Sequence, residues 1–110
     1  MSEFVFLYRN GEKMSADTMQ QQMSKWATWM KELADQGFLK NAGHPLERSG
    51  KLVRGKERTV TDGLFAEAKD VIGGYSLVEA KDLDHAVELS KGCPIFHTGG
   101  GVEVRPAMKM

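Results

Sequence analysis

Asp62, His44 and His97 are the side chains whose types suit proton transfer. Asp62 precedes Gly63 at the end of a short alternating stretch. A carboxylate held at a strand end over a cavity is how a general base is placed. The same Asp-Gly pair also makes a turn by accepting from the backbone amides of residues 64 and 65. His44 stands between Gly43 and Pro45, and His97 lies in the loop "CPIFHTGGG". His85 falls in the first turn of a helix and is expected at the surface. Arg105, on the last strand, can pair with an acid or hold an anionic substrate. Cys93 and His97 are four apart but straddle a proline-containing loop, so no zinc site is expected. The chain has no serine elbow, Walker loop, dinucleotide glycine pattern or paired-cysteine motif, and no cofactor is expected. Gly99, Gly100 and Gly101 read as an entry to the last strand, since no helix follows them to complete a phosphate cradle.

The stretch "TDGLFAEAKDVIGGY", residues 61–75, concentrates special residues at one junction. Asp62-Gly63 makes a turn, and Phe65 plugs toward the core or toward a second subunit. Residues 67–70 are a solvated linker with room for one helical turn. Gly73 and Gly74 let another backbone or a ligand approach closely at the entrance of a strand. Gly63, Phe65, Gly73, Gly74 and Tyr75, with Arg105, are the candidate ligand-binding residues.

Bulk properties narrow the function classes. The 110 residues fit one domain, with 41% apolar and 27% charged residues. Fifteen basic residues balance fifteen acidic ones. A strong positive field is therefore absent, and direct nucleic-acid binding is not expected. The basic run from Lys51 to Arg58 reads as a solvated hairpin tip. Zero net charge leaves self-association unopposed. One cysteine, Cys93, excludes an internal disulfide and suits a reducing compartment. The start "MSEFVFLYRNGEK" turns polar too soon for a signal peptide or a membrane span, so a cytoplasmic location without membrane contact is expected.

These residues need a scaffold. "EFVFLYR", 3–9, reads as a strand with Phe4, Phe6 and Tyr8 on one face and Val5 and Leu7 on the other. Asn10-Gly11 ends it. Ser15 caps a helix reaching about Gln36, with Met19, Met23, Trp26, Met30 and Leu33 as its inner stripe and Trp29 off it. Gly37 stops it. Residues 38–46 read as a second strand disturbed by Gly43 and Pro45. Lys51–Arg54 and Arg58–Thr61 form an inserted hairpin around Gly55-Lys56. "VIGGYSLVEA", 71–80, is a strand. Asp82 caps a second helix whose inner face is Leu83, Ala86, Val87 and Leu89. Val102–Arg105 closes the chain.

The order β-α-β, hairpin, β-α-β predicts an α+β, ferredoxin-like βαββαβ-type sandwich with an inserted hairpin. Helices cover one sheet face only. The other face still carries apolar residues, so a homodimer with sheets packed face to face is expected, with a ligand cavity between or beside the sheets.

"TDGLFAEAKDVIGGYSLVEAKDLDHAVELSKGCP" followed by "GGVEVRP" closely resembles the DGPF-motif branch of the YCII-related family. The resemblance spans nearly the whole of residues 1–110, as a single domain. The family's Asp-Gly-Pro-Phe is here Asp62-Gly63-Leu64-Phe65, and the loss of the proline's fixed φ loosens the turn. The resemblance implies a dimeric α+β barrel. It also implies three functional classes. The first is a small homodimeric protein of unassigned activity with a ligand cavity. The second is a cofactor-independent acid–base enzyme, a lyase, isomerase or hydrolase on a small acid or lactone, using Asp62 with His44 or His97. The third is a regulatory partner of an extracytoplasmic-function sigma factor. The first helix carries no histidine where the enzyme-like members have theirs, which counts against transferring their His-Asp pair.

Overall fold

The computed structural model describes residues 1–10, 14–62 (Asp62 by its backbone) and 71–110. The predicted turn at Gly11, the residues Gly63, Leu64 and Phe65, the amides at 64 and 65 and the linker 67–70 lie outside the described residues.

Alternation builds the sheet. In β1 (Ser2–Asn10), Phe4, Phe6 and Tyr8 are buried while Val5 and Leu7 between them are half-buried. β5 (Val71–Ala80) runs antiparallel to it, with Phe4 opposite Val78 and Phe6 opposite Ser76. β6 (Gly101–Pro106) flanks β1 on its other side, with Val104 opposite Phe6. β2 (Leu39–Asn41) pairs with β5 through an irregular step. The resulting order is β2-β5-β1-β6, all antiparallel, and β3 (Lys51–Arg54) and β4 (Thr59–Asp62) form a separate hairpin. With α1 (Ala16–Asp35) and α2 (Leu83–Ser90), this is the ferredoxin-like α+β arrangement with its inserted hairpin.

The helix ends follow local chemistry. Ser15 Oγ accepts from the Thr18 amide at 3.2 Å. At the other end Gly37 takes φ +83°. Its amide donates to Ala34 O and that of Phe38 to Leu33 O, the paired bonds that close a Schellman motif. Asp82 Oδ1 accepts from the His85 amide at 2.8 Å and caps α2.

The helix faces differ from the expected stripes. Met19 and Met23 are 50% and 69% exposed, whereas Trp29 is 5% exposed and central to the core. The buried stripe is Gln22, Trp29 and Leu33, with Trp26 and Met30 partly buried. Both candidate stripes contain Trp26 and Leu33 at helical spacing, so periodicity does not choose between them. Tertiary contacts do. Trp29 stacks on Phe6 with centroids 6.3 Å apart. Gln22 takes an inward seat because its Nε2 donates to Pro94 O at 2.9 Å. On α2, Ala86 is buried and Leu89 packs on the core as expected, whereas Leu83 is exposed and Ser90 is buried instead. His85 is half-buried rather than superficial. Its ring meets Phe38 edge-on at 4.9 Å, and its Nδ1 accepts from the Lys81 amide.

Three boundaries move. β2 is three residues long, with an isolated bridge at Pro45–Gly74 continuing its line. The second hairpin strand is 59–62 because Arg58, at φ +55°, belongs to the turn. The loop before β6 holds a 3-10 turn, Pro94–Thr98, whose Ile95 joins the core.

Candidate functional site

β1, β5 and β6 each present two faces, and the described helices cover only one. Val5 and Leu7 stand opposite Leu77 and Tyr75, and these four side chains occupy the middle of the other face. All four are half-buried. Two charge clusters frame them. Toward β6, Arg9 Nη1 donates to Glu103 Oε1 at 3.0 Å and Arg105 Nη1 donates to Glu103 Oε2 at 3.1 Å. Glu103 thus bridges two guanidiniums. Toward β2, Lys40 pairs with Glu3 and, at 3.8 Å, with Glu79. The Glu3 carboxylate accepting from Lys40 Nζ holds the Lys40 ammonium above its ordinary range. One ammonium between two carboxylates leaves that edge negative.

The arginine cluster answers the question about Arg105, which is paired with Glu103. Arg9 and Glu103 were missed by the sequence reading. The signal was available: Glu103 and Arg105 are two apart on one strand, as are Leu7 and Arg9, so each pair shares a strand face.

The glycines at the β5 entrance have a packing cause. A Cβ on Gly73 would sit 1.9 Å from Asn10 Nδ2, and one on Gly74 would sit 3.0 Å from His44 O. Gly43 is more constrained still. It has φ +70°, and a Cβ there would lie 1.8 Å from Tyr75 O. The 42–46 segment is thereby pressed onto β5, and the Leu46 amide donates to Gly73 O at 2.7 Å.

That segment positions His44, whose ring is 6.2 Å from the ring of Tyr75. His44 is exposed and lies beside β5 on the β2 side of the sheet. His97 is exposed too, on the 3-10 turn that leads into β6 and packs on α1 through the Gln22–Pro94 bond. Both histidines stand at the end of the sheet where β1 finishes. His44 lies on the β2 side of the sheet, and His97 lies on the turn that precedes β6. Asp62 ends β4, paired in register with Lys51. Among the described residues no three His, Cys, Asp or Glu side chains gather as a metal site.

The covered face holds two further polar groups. Tyr8 Oη donates to Ser76 Oγ at 2.8 Å, and Ser76 Oγ donates to Ala42 O at 2.7 Å. Burial pushes the Tyr8 phenol well above its ordinary value, against the opposing hydrogen bond from Ser76. The Cys93 thiol is likewise pushed up by burial, to about 12, although a backbone hydrogen bond at Ile95 works the other way. A thiol so held is a packing group rather than a nucleophile. Among the described residues no helix is long and apolar enough to cross a membrane.

Compared with known families, the chain matches the model of the YCII-related domain over residues 3–110. No curated protein matches it.

Proposed function

The chain belongs to the YCII-related family, and from that premise we propose that it is a cytoplasmic homodimer of the DGPF-type branch. Its two open sheet faces pack together as a dimeric α+β barrel and enclose a small-molecule cavity. The observation that carries this reading is the half-buried apolar row Val5, Leu7, Tyr75 and Leu77, which no described helix covers, between two ion-pair clusters. An apolar centre with a charged rim is the anatomy of an association surface.

The cavity in this reading is walled by Tyr75 and Leu77 and bordered by Arg9 and Arg105, a lining suited to a small organic acid or lactone. The absence of a histidine from α1 favours binding over a His-Asp reaction. A thermal-shift screen of small carboxylates and lactones tests it. Stabilisation by a carboxylate that is lost in Arg105→Gln supports the reading. No shift with any acid or lactone at millimolar concentration contradicts it.

A further inference from the structure

The inserted hairpin is exposed along almost its whole described length. Lys51, Val53, Arg54 and residues 55–61 are exposed, and only Leu52 is half-buried. Val53 and Val60 stand directly opposite each other, at 59% and 55% exposure. A two-stranded hairpin without cover is marginally stable in water. The conformation is nonetheless well defined locally. Gly55 (φ +80°) and Arg58 (φ +55°) shape the turn, and the Arg58 amide donates to Gly55 O at 3.1 Å.

Charge indicates what covers it. Residues 51–62 carry four basic side chains against two acidic ones. The hairpin leaves the sheet at the end where β1 finishes, on the β2–β5 side, directly after the Pro45–Gly74 bridge. The far end of the same side is acidic: Glu3, Glu79, Asp82 and Asp84 against Lys40 and Lys81. A two-fold axis lying between two sheets, perpendicular to their strands, sets the first end of one copy over the far end of the other. The basic hairpin of each copy then reaches the acidic end of its twin, twice per dimer.

We infer that the β3–β4 hairpin is a clasping arm for a second copy of this chain, with the Val53–Val60 pair as its apolar contact and Arg54, Lys56 and Arg58 meeting the acidic end around Glu3 and Glu79. The arm rests on the homodimer reading and deepens it.

Sedimentation equilibrium of the full chain and of the double variant Val53→Glu, Val60→Glu tests the arm. The expected result is a folded variant whose dimer dissociates at least about 30-fold more readily. An unchanged dissociation constant overturns the arm and leaves the homodimer standing, whereas a wild-type monomer overturns both. Hydrogen exchange on the wild type gives a measurement free of mutation. Amides of residues 51–62 are expected to be protected in the dimer and to lose protection on dilution. Exchange in the hairpin that is indifferent to dilution overturns the arm even if the double variant misfolds.

Discussion

The two faces of the four-stranded sheet are made by the same strands, residue by residue, yet they reach completion differently. On the helix side Phe4, Phe6, Tyr8, Val78 and Ala80 are buried by α1, α2 and the 3-10 turn. The polar groups there are bonded within the chain, and among the described residues no buried side-chain nitrogen or oxygen lacks a partner. On the opposite side Val5, Leu7, Tyr75 and Leu77 are half-buried with no covering element among the described residues, and their charged neighbours are half in water. One face closes the fold of a single chain. The other has the composition of an interface and, in this account, is closed by a second chain. Stability and association should therefore be separable by mutating alternate residues of one strand.

The largest effect is expected on the covered face. Phe6→Ala removes a fully buried ring that stacks on Trp29 and should cost about 3–5 kcal/mol in urea unfolding. A smaller loss than that of an exposed residue would break the comparison at once. On the open face, Leu77→Glu should leave the monomer's fold intact and weaken the dimer by about 2–4 kcal/mol, read by mass against concentration. If it unfolds the chain without a change in assembly, the two faces are not the separate structures described here.

Ser76→Ala should cost about 1–3 kcal/mol, because Tyr8 Oη and Ala42 O both lose their partner in the core. The expected loss sits in monomer stability, with dimer affinity unchanged.

The mildest test is pH. In the unfolded chain the Cys93 thiol ionises near its ordinary value of 9.0, while in the folded chain it holds its proton to about 12. Tyr8 is shifted in the same direction. Between these values the unfolded state binds fewer protons, so stability is fully present below pH 9 and falls as pH rises above it. Urea midpoints from pH 7 to 11 should be flat and then decline. A rise above pH 9 would contradict the burial of both groups.

Much of this was legible in the sequence because it is local. Period-two alternation identified β1 and β5 and divided their faces, and Ser15, Gly37 and Asp82 marked helix ends by their side-chain and backbone chemistry. The second strand was legible only in part, since Gly43 and Pro45 replace a regular ladder with a close backbone approach to Tyr75. The phase of α1 was not legible. Seating Trp29 and Gln22 inward depends on Phe6 and on Pro94, which are 23 and 72 positions away in the chain. The candidate site divided in the same way. Gly73 and Gly74 were recognised as places of close approach, but what approaches them, Asn10 and His44, is a tertiary fact. The convergence of Glu103 with Arg9 likewise needs the β1–β6 register.

The claim that a second copy closes the open face is tested most directly by light scattering on the unmodified chain at micromolar concentration. The account predicts a mass twice that of the 12.2 kDa chain, falling toward the single-chain value in Leu77→Glu. A wild-type mass of one chain, unchanged as concentration rises, would contradict it.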